Sequence, residues 1–281
     1  MMEVRLASEA APGRLVNEDG ALVIGGLVGV FDGVTQPAGL DTGCAHGPAW
    51  YVRHLSTQLG HAYAMEPTQT LAQLLATAIE RVRSRHANCD LSHPGTPAST
   101  ACLLKHSGGE IEYLVLCDSP LVLDRGDQID IVTDERFNVA IASVRQAALV
   151  PGAFETADHA ARLRWATEER WRHTNQASGY WIAAAEPHAA FEAVTGAVPL
   201  YGPNRVRRAA LLTDGASAAV EQLGLLDWDG LLDLLTVDGP AELIRRVRAT
   251  EIADRDGYAR PRYKRHDDAT AVLCLFEQEQ P

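Results

Sequence analysis

Four short acidic segments carry the residues that could do chemistry: Asn17-Glu18-Asp19-Gly20, Phe31-Asp32-Gly33, Thr213-Asp214-Gly215 and Asp267-Asp268-Ala269-Thr270. Each borders an apolar run, at residues 21–24, 27–31, 209–212 and 271–276. Singly, Asp32-Gly33 and Asp214-Gly215 are ordinary turn dipeptides, and Asp267-Asp268 is a solvated strand entry. Together they describe strand ends that offer several carboxylates to one place. Clustered carboxylates repel one another unless cations neutralise them. Oxygen donors without histidine or thiolate suit Mg²⁺ or Mn²⁺, and about three or four carboxylates, with waters, would hold two such ions. A divalent pair lowers the pKa of a shared water towards neutrality, so the chemistry is metal-dependent hydrolysis of a phosphate ester.

The elements that must position these groups are legible from patterning. Gly25-Gly26, Gly108-Gly109 and Gly126-Asp127 each separate two β-rich runs, which predicts three antiparallel hairpins. Most of the runs are apolar on both faces, as strands are when a sheet is covered on each side. Between the first two hairpins, residues 47–63 and 67–87 show apolar positions at three- and four-residue spacing, for example Leu71, Leu74, Leu75, Ala78, Ile79 and Val82. Further helices are predicted at about 157–172, 228–235 and 240–253, and a final strand at 270–276. Hairpins interrupted by helix pairs imply an α+β chain with two packed antiparallel sheets and helices outside. No internal repeat or linker divides residues 1–281, so one domain is expected. Residues 136–205, with Trp165, Trp171, Tyr180 and Trp181, read as a helical cap with its own aromatic anchors or as a flap beside the site.

Bulk properties remove other classes. The net charge of −12 disfavours nucleic acid or an anionic membrane as partner, since both need a basic face. A phosphorylated substrate remains compatible, because bound cations invert the local sign. The five cysteines are scattered and never form Cys-x-x-Cys, which argues against a disulfide framework or a zinc site and for a reducing cytoplasm. The first eleven residues lack the apolar core of a signal peptide. The longest apolar stretch, 20–31, holds four glycines and is too short to span a bilayer.

Six motifs in order resemble those of the type 2C metal-dependent serine/threonine protein phosphatases, bacterial branch. They are Arg14-Leu15-Val16-Asn17-Glu18-Asp19, Val30-Phe31-Asp32-Gly33, Ser99-Thr100-Ala101, Cys117-Asp118-Ser119, Leu212-Thr213-Asp214-Gly215 and Asp267-Asp268-Ala269-Thr270. The resemblance runs from about 14 to 275 and implies a four-layer α-β-β-α sandwich with a two-metal centre at one end. It implies that Asp32 bridges two metals, that the Gly33 carbonyl serves one, and that Asp19, Asp214 and Asp267 complete the ligands. Glu18 would orient water, and Asp118 would support a third ion with Asp214. Arg14 would grip the phosphate, where a guanidinium binds two oxygens at once. The implied substrate is a phosphoserine or phosphothreonine in a protein, and the family precedent is a monomer.

Departures qualify the match. Val34-Thr35-Gln36 follows Gly33 where many relatives carry a histidine or methionine and two glycines. The histidine proton donor is thereby lost, leaving metal-bound water, His46 or His266 to protonate the leaving oxygen. Cys117-Asp118-Ser119-Pro120 keeps the aspartate but not the flanking glycine and arginine. These changes keep two alternatives open: a pseudophosphatase that acts as a binding module, and a phosphatase of small metabolites.

Overall fold

The computed structural model describes residues 2–86, 88–150, 154 and 156–276. Two five-stranded antiparallel sheets form the centre. One sheet is ordered β1 (Met2–Glu9), β10 (Ala269–Phe276), β9 (Arg208–Leu212), β6 (Leu121–Asp124) and β7 (Ile129–Val132). The other is ordered β2 (Gly20–Ile24), β3 (Leu27–Phe31), β4 (Ala101–Ser107), β5 (Glu110–Leu116) and β8 (Val194–Pro199). The layer between them is packed with Val28, Val30, Leu104, Val115, Leu211 and Val272. Burial on both faces explains the unbroken apolar runs: all five residues of β3 are buried.

Helices cover the outer faces. α1 (Pro48–Met65) and α2 (Leu71–Arg83) lie on the β2–β8 sheet through Tyr51, Leu55, Leu59, Leu74, Leu75 and Ile79. The Leu71-to-Val82 stripe is the buried face of α2, which Thr70 and Gln73 start with a reciprocal capping box. α5 (Asp214–Glu221), α6 (Trp228–Val237) and α7 (Pro240–Ala253) cover the other sheet through Ala216, Leu231, Leu235, Leu243 and Val247. This is the expected four-layer α+β arrangement. Not every element was foreseen, β8 among them. β1 is an exposed edge strand with weak apolar content, and α5 opens inside what reads as a turn dipeptide.

Residues 136–205 contain most of α3 (Glu135–Ala148), then α4 (Ala157–Trp171), a 3₁₀ turn (Pro187–Glu192) and β8. Ile141, Val144, Ala148, Ala166, Tyr180 and Ile182 make a small core there. β8 is the outer strand of a central sheet, paired with β5 along its length. The third hairpin turns through four residues, 125–128, and Arg125 N–H donates to the Gln128 carbonyl.

Candidate active site

Strand register brings the acidic segments together. Gly20 pairs with Phe31 at the open end of the β2–β3 hairpin, so Asp19 and Asp32 leave adjacent strands side by side. In the other sheet Leu212 pairs with Ala271, which sets Thr213, Asp214 and Asp267 at the neighbouring strand ends. Asp118 sits where the chain crosses from β5 to β6, between the two sheets. Asp19 is buried; Asp32, Asp118, Asp214 and Asp267 are partly buried.

The electrostatics record how close these groups are. Burial raises the carboxyl of Asp32, and the charges of Asp214, Asp19 and Asp267 raise it further. Burial likewise raises Asp19, opposed by a hydrogen bond from Thr213 and reinforced by Asp214 and Asp267. Asp214 is pushed up to about 7, by burial first and then by Asp267, and it hydrogen-bonds to Asp32. Asp118 is raised by burial, opposed partly by Arg145 and Arg170. Burying these carboxyls side by side costs stability whenever they are ionised.

The surrounding polar groups fix the carboxylates in place. Thr213 Oγ1 donates to Asp19 Oδ2 at 2.7 Å, and Thr270 N–H donates back to Thr213 Oγ1 at 2.9 Å. Asp32 N–H donates to Thr100 Oγ1 at 3.1 Å, and Thr100 shares a 2.6 Å hydrogen bond with Ser119. The Ser99-Thr100 and Asp118-Ser119 motifs therefore support Asp32. Gly33 and Gly215 are needed for close approach. A Cβ on Gly33 would lie 2.4 Å from the Glu18 carbonyl oxygen, and one on Gly215 would lie 1.9 Å from that of Asp268.

Arg14 is exposed and pairs with Glu18 at 3.0 Å, and Glu18 accepts a 2.5 Å hydrogen bond from Thr35. Thr35 in turn accepts from Lys264 Nζ at 3.0 Å, and Lys264 contacts both oxygens of Asp267 at 2.7 Å. Lys264, which patterning did not mark, is raised above its ordinary value by Asp267, Asp214 and Asp32 against the opposing effect of burial. Asp268, which the sequence marks only as part of its motif, has a supporting role. Its oxygens accept from the Ala11 and Glu18 amides, both at 2.7 Å, so it ties the N-terminal loop to β10. A buried carboxylate beside a candidate ligand was the available signal.

A cavity of about 190 Å³ opens beside the acidic cluster. Asp32, Asp118, Asp214, Asp267 and Lys264 form one side, and Arg145 and Arg170 of α3 and α4 line another. Val34 lines it too, at the position of the missing histidine. Among the described residues no histidine does so. His266 lies 2.7 Å from Glu251, and His46 stacks on Trp50 beside two cysteines. Cys117 adopts a left-handed backbone, φ 70°, where a glycine would be unstrained.

The sequence matches no protein-family model and no curated protein. Solved structures do match along the whole chain. The serine/threonine phosphatase PstP/Ppp of Mycobacterium tuberculosis aligns at TM-score 0.60 and 16% identity, covering 99% of each chain. The PPM Ser-Thr phosphatase MsPP from Mycobacterium smegmatis, in complex with cacodylate, aligns at 0.57 and 21%, covering 98% of each. The catalytic domain of PstP in complex with two manganese ions aligns at 0.58 and 15%, covering 98% of this chain and 97% of that one. The chain has the fold of these phosphatases.

Proposed function

We propose that the protein is a metal-dependent phosphatase of the type 2C kind, hydrolysing phosphoserine or phosphothreonine monoesters in proteins. One observation carries this reading: Asp32, Asp214 and Asp267 come from separate strand ends to line one cavity, and buried Asp19 lies close enough behind them to feel the charges of Asp214 and Asp267. The donor set fits hard divalent cations, since it is made of carboxylates, with the Gly33 carbonyl nearby. Asp19, Asp32, Asp214, Asp267 and Gly33 would hold two Mg²⁺ or Mn²⁺ ions, and Asp118 with Asp214 a third. When bound, such a pair supplies a water acidic enough to ionise near neutral pH and positive charge for the phosphoryl oxygens.

The chain's own residues do the rest. Glu18, held by Arg14 and Thr35, would orient the attacking water by accepting a hydrogen bond from it. Arg14, exposed and paired with Glu18, would clamp the phosphate by two N–H donors. Arg145 and Arg170 draw the anionic substrate to the helical wall, which makes α3 and α4 a flap over the site. Phe137, Ile141 and Val144 give the cavity an apolar wall that would face the peptide around the phosphorylated residue.

Purified protein with Mn²⁺ should release phosphate from an aryl phosphate and from a phosphothreonine peptide, and a chelator should stop both. A folded protein that is silent with every divalent ion tested would instead establish the binding-module reading. For Arg14→Ala we expect KM for the phosphopeptide to rise about tenfold or more with a smaller change in kcat. An unchanged KM removes Arg14 from the clamp.

A further inference from the structure

Two of the scattered cysteines, Cys44 and Cys89, are brought together by the fold although their spacing argues against a zinc site. Cys44 and His46 lie in the loop before α1, and Cys89 lies in the loop after α2. Cys44 Sγ is 3.3 Å from Cys89 Sγ and 3.4 Å from His46 Nδ1, and Cys89 Sγ is 3.5 Å from the same nitrogen. All three ligand atoms fall within 4.8 Å of one another. Zn–S and Zn–N bonds of about 2.3 and 2.0–2.1 Å at tetrahedral angles place such atoms about 3.5–3.8 Å apart. The observed triangle is close to that face. The sulfurs are too far apart to be bonded, since a disulfide is about 2.05 Å, and both cysteines are free.

A second, independent observation points to a ligand. His86 is 7% exposed, and its Nδ1 faces the Val82 carbonyl at 3.0 Å. That contact assigns the proton to Nδ1 and leaves Nε2 an acceptor, yet Nε2 is buried without a hydrogen-bond partner. Metal-bound histidines characteristically donate their other ring nitrogen to a backbone carbonyl in this way. The His86 ring meets His46 edge-on, with centroids 5.0 Å apart, and both rings pack on Trp50. His86 Nε2 is the unpartnered nitrogen beside this triangle, and a turn of its ring inward would supply the fourth ligand.

We propose that Cys44, His46, Cys89 and His86 form a structural site for Zn²⁺ or another soft divalent cation, chemically separate from the carboxylate centre. Two thiolates and two imidazoles suit zinc, whereas the carboxylates suit Mg²⁺ or Mn²⁺. The site clips together two loops that already run alongside each other. Asp90 N–H donates to the Gly43 carbonyl at 2.8 Å, and Gln36 Nε2 donates to the Gly95 carbonyl at 2.8 Å. One loop begins at Asp32-Gly33 and the other leads to Ser99, which pairs with Gly33. The clip therefore braces the backbone that carries Asp32.

The test is Co²⁺ binding to the reduced full chain, followed in the near ultraviolet, where thiolate-to-cobalt charge transfer absorbs. We expect one equivalent to give that band, Zn²⁺ to displace it, and Asp214→Asn to leave it intact. The Cys44→Ser/Cys89→Ser protein should lack the band, and His86→Ala should bind Zn²⁺ at least about tenfold more weakly. A wild-type protein with no charge-transfer band overturns the site, and so does a band that survives the double substitution. Unchanged Zn²⁺ affinity in His86→Ala overturns the four-ligand assignment.

Discussion

Asp214→Asn is expected to fold normally and to lose Mn²⁺-dependent phosphate release by about a thousandfold or more, roughly 4 kcal/mol of transition-state stabilisation. The substitution keeps the side chain's shape and removes one negative charge from the cluster. It should also leave the metal-free protein as stable as the parent or more so. Asp214 is pushed up to about 7 by burial and by Asp267, so its charge opposes folding. Loss of turnover with equal or higher Tm is the signature of a functional carboxylate. Near-normal turnover would remove Asp214 from the ligand set.

The second large effect is a metal-dependent reversal of the pH–stability profile. Asp19, Asp32 and Asp214 all have folded values above their ordinary 3.8, with Asp214 at about 7. A carboxyl raised on folding binds its proton more tightly in the native state. Its contribution is therefore complete below the unfolded pKa and is lost as pH rises through the folded one. The metal-free protein should lose Tm between about pH 4.5 and 7.5, by on the order of 5 °C. Below that window Glu242, lowered to about 2 by Arg245 and Arg246, acts in the opposite sense. Saturating Mn²⁺ should abolish the fall, because each ion at a hundredfold excess over its Kd adds about 2.7 kcal/mol at the pH where the carboxylates are ionised. Calorimetry with and without metal decides this. A Tm that rises from pH 5 to 7.5 in the metal-free protein contradicts the raised carboxyls of Asp19, Asp32 and Asp214.

Much of this arrangement was legible in the chain. Glycine pairs between β-rich runs located the first two hairpins, because few other residues tolerate the turn. The stripe from Leu71 to Val82 announced α2 and its buried face. β1 was missed because an edge strand with exposed Glu3, Leu6 and Glu9 has little apolar signal. α5 was missed because Asp214-Gly215 reads as a turn; the glycine is there to clear the Asp268 carbonyl. Within the site, carboxylates at strand ends could be read from the sequence, whereas their supports could not. Lys264 and Thr35 meet across 229 residues of chain, and Asp268 bonds to amides 250 and 257 residues away. The cysteine–histidine group escaped for the same reason. Its ligands come as Cys-x-His and His-x-x-Cys on two loops, and only the packing of α1 against α2 makes them neighbours.

The most direct test of the account is anomalous diffraction from crystals grown with Mn²⁺. The account predicts two strong peaks between the carboxylates of Asp19, Asp32, Asp214 and Asp267, with Asp32 touching both. Density with no peak among these four residues, while they remain folded as described, would contradict it.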